Sequence, residues 1–150
     1  MSLEAQIKQS TFKSEQSKLI VNLIYTYNQL KGQIASRLKE EGLTMQQYNV
    51  LRIVRGAGDQ GSTTSEIRER LLDKMSDASR MVDRLVAMGH LEKVRDQDDR
   101  RLVYVYLTDA GAELVERLVG EEAVESVVSG FCNEKAQQLN ELLDHLRDAI

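Results

Sequence analysis

The chain has 150 residues, of which 41% are hydrophobic and 29% charged, a balance that excludes extensive disorder. Its one cysteine, Cys132, excludes an internal disulfide and fits a reducing compartment. We expect a cytoplasmic protein without a signal peptide or a membrane span. The net charge of −4 is uneven, since residues 1–108 carry 17 Lys and Arg against 14 Asp and Glu, whereas residues 109–150 carry 3 against 10. A mildly basic part is therefore separable from an acidic C-terminal part.

Two helices are predicted at the start of the chain. Apolar residues recur every three or four positions between residues 14 and 41, and Gly42 suits a C-terminal cap. Thr44 and Gln47 have the spacing of a capping box, which predicts a second helix to about residue 55. The segment 56–61 spells GxGxxG, but a helix precedes it where a nucleotide site requires a strand. We interpret this segment as a connector.

A helix-turn-helix pattern comes next. Thr63 and Glu66 have the spacing of another capping box, which opens a short helix to about Leu72. After a turn, a helix is predicted from Ser76 to Met88, with apolar residues on one side and polar residues on the other. A helix with such an exposed polar side is suited to the major groove of DNA.

A charged β-hairpin is predicted directly after this helix. Residues 90–95 and 101–107 form its strands, and the second strand alternates between aliphatic residues and tyrosines, as a half-buried strand does. The turn between them is rich in aspartate. A polar helix followed by a charged hairpin is typical of a winged helix-turn-helix.

The C-terminal part is predicted to be helical. Thr108 is expected to cap a long helix from 109 to about 130, interrupted by Gly120, and Asn133 to cap a last helix. The apolar stripes of the terminal helices are too long to be covered by the small middle block, which favours a two-fold dimer. The predicted fold is mainly α: a winged helix-turn-helix with a small β-hairpin wing in 42–108, between dimerisation helices in 1–41 and 109–150.

The wing carries the residues of a known family. Asp99 and Arg101 precede a strand that ends in Leu107-Thr108, and Leu43-Thr44 and Gly89-His90-Leu91 stand at matching spacing. With these residues the chain resembles the MarR family of bacterial transcription regulators over nearly its full length. The resemblance implies a homodimer whose recognition helices enter adjacent major grooves of double-stranded DNA, with the wings in flanking minor grooves. It also implies, for many members, release of the DNA by a small phenolic or other aromatic effector.

Ten residues are candidate DNA contacts. Arg80 can read guanine with two donors, Arg84 is placed one turn further to reach a phosphate instead, and Arg101 suits a narrow minor groove with Asp99 orienting it. The full set is Thr63, Thr64, Ser76, Ser79, Arg80, Asp83, Arg84, Asp99, Arg100 and Arg101. The alternatives are a solvated helix face and a salt-bridged hairpin tip, and capping explains the two threonines equally well.

Other site chemistries find little support in the sequence. Tyr25 and Tyr48 are candidate effector-pocket residues, with core packing as the alternative. His90 and His145 are isolated and no metal-ligand or nucleophile pattern accompanies them, so we expect no enzyme, no cofactor and no metal site. We expect a repressor of a palindromic operator. The alternative is a dimeric protein-interaction module that kept the winged fold without DNA binding, as the acidic total charge and the wing-tip aspartates suggest.

Overall fold

The computed structural model describes residues 2–119 and 124–150. The helices and strands in this part of the chain are α1 (Leu3–Ile7), α2 (Glu15–Glu40), α3 (Met45–Ala57), β1 (Ser62–Thr63), α4 (Thr64–Arg70), α5 (Ala78–Ala87), β2 (Leu91–Arg95), β3 (Val103–Leu107), α6 (Asp109–Val119) and α7 (Asn133–Asp148). Short 3-10 helices lie at Gly58–Gln60, between α3 and β1, and at Val124–Val128, between α6 and α7. The mainly helical winged helix-turn-helix fold is confirmed.

The wing belongs to a three-stranded antiparallel sheet with the strand order β1-β3-β2. Leu91 pairs with Leu107 in the predicted hairpin, and Ser62 pairs with Val105 in a third strand that the sequence did not reveal. The third strand comprises only Ser62–Thr63, which is too short to show any alternation. Its pairing anchors the wing to the start of α4.

Local capping signals fix the helix boundaries largely as predicted. The Thr44 hydroxyl accepts from the Gln47 N–H at 3.1 Å, and the Gln47 side chain accepts from the Thr44 N–H at 2.9 Å. Gly42 adopts φ +68°, the left-handed conformation that a helix C-terminus favours in glycine. The helix predicted to end at about residue 55 is α3, which extends slightly further, to Ala57. The 3-10 helix Gly58–Gln60 follows it directly.

The recognition helix is shorter than predicted. It begins not at Ser76 but at Ala78, because Asp77 is its N-cap and accepts a hydrogen bond from the Arg80 N–H at 3.0 Å. The Ser76 hydroxyl belongs to the preceding turn, where it donates to Asp73 at 2.9 Å.

The C-terminal part contains two differences from prediction. The helix that begins at Asp109 does not continue unbroken, since Val124–Val128 is a 3-10 helix, while the predicted interruption at Gly120 lies outside the described residues. The last helix is capped not by Asn133 but by Cys132, which has the extended backbone of a cap (φ −64°, ψ 154°) and makes no side-chain cap hydrogen bond. Asn133 is already the first helical residue.

An N-terminal helix, α1, was not predicted. It is held against α2 by an ion pair between Glu4 and Lys18 at 2.6 Å, and by a hydrogen bond from the Tyr25 hydroxyl to Gln6 at 2.9 Å. The hydrogen bond from Lys18 lowers the pKa of the Glu4 carboxyl to about 2. A helix of five residues is too short to show a periodic pattern in the sequence.

The hydrophobic core lies between α3, α4, α5, α6 and the sheet. It includes Leu51, Ile67, Leu85, Val105 and Val115, each with no exposed surface. The terminal helices differ: α2 buries Leu38 alone, and no residue of α7 is buried. In the part of the chain that the structure describes, no helix is long and apolar enough to cross a bilayer.

Candidate nucleic-acid interface

The recognition helix α5 separates its apolar and polar residues onto opposite sides. Ala78, Val82 and Leu85 are buried, as the three- and four-residue spacing requires. The predicted DNA contacts of this helix share the other side and are all exposed: Ser79, Arg80, Asp83 and Arg84. The structure therefore brings these four residues together on one accessible surface.

The starts of α4 and α5 form a polar cleft. Its lining includes Thr64 and Ser79 together with Ser76 and Arg68. Hydrogen bonds from the Ser76 hydroxyl and from the Met75 N–H lower the pKa of the Asp73 carboxyl, so Ser76 also stabilises the turn. Arg68 is a basic residue of this surface that the sequence analysis missed.

Thr63 has a structural role in the capping box of α4. Its hydroxyl accepts from the Glu66 N–H at 3.3 Å and donates to the Glu66 carboxylate at 2.9 Å, and its own N–H donates to the same carboxylate at 2.7 Å. The hydrogen bonds from the backbone and hydroxyl of Thr63 lower the pKa of Glu66. Capping thus accounts for Thr63, and a DNA contact by this residue stays a prediction.

The wing tip presents an arginine to solvent. The side chain of Arg101 is 91% exposed, and Asp99 accepts hydrogen bonds from its Nε at 3.2 Å and from its backbone N–H at 3.0 Å. Asp96 accepts from the N–H groups of Asp98 at 2.9 Å and Asp99 at 2.7 Å, which closes the turn. Arg100 is exposed beside them. The tip aspartates therefore build the turn that holds Arg101 outward.

The root of the wing is tied to the end of the recognition helix. The Thr108 hydroxyl donates to the Gly89 carbonyl at 2.7 Å and accepts from the Gly111 N–H at 3.0 Å, which also confirms Thr108 as the cap of α6. The backbone passes so close at this point that a Cβ on Gly111 would lie 2.0 Å from the His90 carbonyl oxygen. These contacts set the direction in which the wing leaves α5.

Lys93 of β2 is a second basic residue that the sequence analysis missed. Its ammonium lies 2.5 Å from the carboxylate of Asp83 on α5. The alternation of the strand places Lys93 on the same side as the buried Leu91, but it does not indicate Asp83 as the partner, because that contact joins separate elements.

A groove of about 260 Å³ opens between α2 and the helix-turn-helix. Its lining combines aromatic, cationic and amide groups that include Tyr27, Lys31 and Asn49. The two predicted effector residues lie elsewhere: Tyr25 bonds Gln6, and Tyr48 is buried with its hydroxyl donating to a carbonyl of α6 at 3.4 Å. Burial raises the pKa of Tyr48.

Within residues 2–119 and 124–150, no three His, Cys, Asp or Glu side chains are grouped so that they could hold a metal ion. Cys132 is exposed.

Known proteins resemble this chain in sequence. Residues 29–118 match the protein family described as transcriptional regulator SarA/Rot. The multiple antibiotic resistance protein MarR of Escherichia coli is 30% identical over 125 residues, which cover 81% of this chain and 85% of that protein. The regulator TtmR of Methylorubrum extorquens is 31% identical over 111 residues, which cover 74% of this chain and 54% of TtmR.

Solved structures agree with these sequence matches. A mutant of Escherichia coli MarR in complex with operator DNA superposes with a TM-score of 0.71 at 29% identity, over 91% of this chain and 99% of that chain. The relatives are transcription regulators and not enzymes. This chain belongs to the MarR family of winged helix-turn-helix transcription regulators.

Proposed function

We propose that the protein is a homodimeric, sequence-specific DNA-binding repressor that binds a palindromic operator and is released by a small aromatic effector. The observation that carries the proposal is a juxtaposition within the winged lobe, which comprises α3 to α6 and the sheet. The exposed polar side of α5 and the outward-pointing Arg101 of the wing stand on elements joined at Gly89 and Thr108. A helix and an adjacent loop with cationic tips suit a major groove and its flanking minor groove.

Roles within α5 follow from side-chain chemistry. Arg80 is in the first turn and can donate two hydrogen bonds to one guanine, while Ser79 can contact a base or a phosphate. Arg84, one turn further, is assigned to a phosphate. Ser76 and Thr64, at the mouth of the neighbouring cleft, are assigned to phosphates.

The wing supplies affinity without a base code. A guanidinium in a narrow minor groove gains from the enhanced negative potential there, whatever the exact sequence. Asp99 holds Arg101 in place through a charge-assisted hydrogen bond, which reduces the rotamer entropy that binding removes. Arg100 extends the same cationic tip.

The dimer is proposed from the exposed apolar residues of the terminal helices. Ile20 on α2 is 60% exposed and Leu142 on α7 is 64% exposed, although both belong to helical apolar stripes. A second copy would cover these stripes, and its two-fold symmetry would require a palindromic operator. The Escherichia coli MarR structure in complex with operator DNA supports DNA as the partner.

The groove beside α2 is the proposed effector site. Lys31 lies 5.8 Å from the ring centre of Tyr27, so the groove offers both an aromatic face and a cation. An aromatic molecule with an anionic or phenolic group fits this lining. Because the groove also includes Asp73 and Ser76 of the turn before α5, a bound molecule would bias the position of the recognition helix.

The test is selection from a random duplex pool, followed by fluorescence anisotropy across salt with Arg101→Ala and Arg80→Ala. We expect a palindromic winner and a steep fall of log affinity with log salt. Arg101→Ala should weaken binding to every duplex alike, whereas Arg80→Ala should lose about 1–3 kcal/mol at particular base positions. Lys13→Ala, at an exposed position between α1 and α2, is the control and should bind as wild type does.

Absence of any enriched duplex would overturn the proposal and favour the interaction module without DNA binding. Equal loss on every operator variant for Arg80→Ala would overturn its readout role alone. The acidic wing tip that suggested the interaction module is accounted for in part by the turn hydrogen bonds of Asp96 and Asp99.

A further inference from the structure

An ion pair bridges the two elements that the proposed function assigns to different grooves. Lys93 Nζ of strand β2 lies 2.5 Å from Asp83 Oδ1 of helix α5. The lysine side chain is 38% exposed and the aspartate 66%, so both remain accessible from solvent. The pair therefore lies on the accessible surface between the recognition helix and the wing.

The register of the sheet explains why Lys93 points toward the recognition helix. Paired residues of antiparallel strands project to the same side, and Lys93 pairs with the fully buried Val105. Leu91 on this side is buried in the core, while Lys93 and Arg95 continue the same row as exposed cations. The side of β2 that packs on the core at Leu91 therefore carries cations at Lys93 and Arg95, where the strand extends beyond the core.

The shape of duplex DNA gives this position a meaning. One sugar-phosphate backbone separates a major groove from the adjacent minor groove. If α5 enters the first and the wing tip the second, whatever lies between them faces that backbone. Lysine suits such a contact, since its ammonium is a compact cation with three N–H donors on a flexible side chain. Asp83 accepts a hydrogen bond from this ammonium, and its other donors can reach a phosphate.

We propose that Lys93 binds the backbone phosphate between the two grooves and that Asp83 is a positioning residue, which holds Lys93 there without contacting the DNA itself. This inference rests on the proposed function. It also explains an acidic residue on the DNA-facing side of α5, because an unpaired carboxylate there would repel the phosphates. Lys93 would add affinity but no sequence preference.

The first measurement is the salt dependence of binding to the selected duplex by Lys93→Gln. We expect the slope of log affinity against log salt to fall by about one and the base preferences to stay unchanged. Lys13→Gln, an equal charge change at an exposed site before α2, is the matched control and should keep the wild-type slope. A wild-type slope in Lys93→Gln overturns the inference, even though DNA binding itself is intact.

The second measurement separates positioning from simple stabilisation. Asp83→Asn should weaken binding several-fold when Lys93 is present, but should have no such effect in the Lys93→Gln background. The double variant Asp83→Lys with Lys93→Asp keeps an ion pair, so it should melt near the wild-type temperature while binding DNA poorly. Full recovery of affinity and slope in this double variant would show a purely structural pair and overturn the inference. If the wild type and Lys13→Gln bind no duplex, the proposed function fails, and this inference fails with it.

Discussion

The winged lobe and the terminal helices use similar apolar periodicity in opposite ways. In α3 the residues Val50 and Leu51 have no exposed surface, and α6 adds Leu114 and Val115 to the same core. In α7 no residue is buried, and Leu142 keeps 64% of its surface exposed. An amphipathic pattern thus indicates a helix that needs a partner, but it does not say whether the partner is in the same chain. Within the winged lobe the apolar sides of the helices pack on one another, whereas the apolar stripes of the terminal helices remain exposed.

The largest expected effect contrasts one leucine from each region. Leu51→Ala creates a cavity in a closed core and should lower the free energy of unfolding by about 2–5 kcal/mol. Leu142→Ala should destabilise less, by about 1.5–3 kcal/mol if a second copy buries this side chain. Urea denaturation monitored by circular dichroism measures both.

The dependence of stability on protein concentration distinguishes a cavity in the core from a lost contact between two copies of the chain. The effect of Leu142→Ala should accompany weaker self-association by light scattering, because burial in a dimer is linked to protomer concentration. An effect of Leu142→Ala below about 0.5 kcal/mol at every concentration would mean that the α7 stripe has no partner.

A pair of glycines gives the next contrast. Gly111→Ala should destabilise the lobe by at least about 1–3 kcal/mol, since its Cβ would meet the His90 carbonyl oxygen at 2.0 Å and the backbone would have to shift. Gly32→Ala, inside α2, places the new Cβ more than 4 Å from any atom other than its chain neighbours and the nearby backbone of its own helix, and it should stabilise the helix by about 0.5–1 kcal/mol. Thermal melts compare the two variants. A loss of stability in Gly32→Ala would show that a partner packs closely against α2 at this point.

Helix caps provide the smallest contrast. Thr63→Ala removes the cap of α4, which is built into the lobe, and should cost about 1 kcal/mol. Ser14→Ala removes the cap of α2, whose first turns have no buried residue, and should cost under about 0.5 kcal/mol because that end can fray locally. Equal losses would contradict the view that the two regions differ in cooperativity.

The pH dependence of the α4 cap follows from Glu66. Hydrogen bonds in the folded state hold its pKa below the ordinary value of 4.5, so the unfolded chain binds the proton more tightly. The stabilising contribution is then present above about pH 4.5 and is lost as the pH falls through the lowered pKa. Glu66→Gln should show a shallower loss of stability on the acid side, as measured by melts between neutral and acidic pH.

Much of the fold was determined by local sequence. The capping boxes at Thr44 and Thr63, the C-terminal cap at Gly42 and the alternation of the wing strand all predicted elements that the structure contains. Each signal acts between residues a few positions apart, where the backbone fixes the geometry in advance. The same signals predicted that the polar side of α5 lies next to the wing. Together with the family residues of the wing, they indicated the MarR family.

Other features were decided only by the tertiary structure. The pairing of Ser62 with Val105, the ion pair of Asp83 with Lys93 and the shift of the last cap to Cys132 have no local signature. The first two join residues that folding brings together from separate elements, and the third depends on which residue the incoming backbone holds extended. Periodicity predicts that a face must be covered, whereas only the packed chain shows which faces it covers itself.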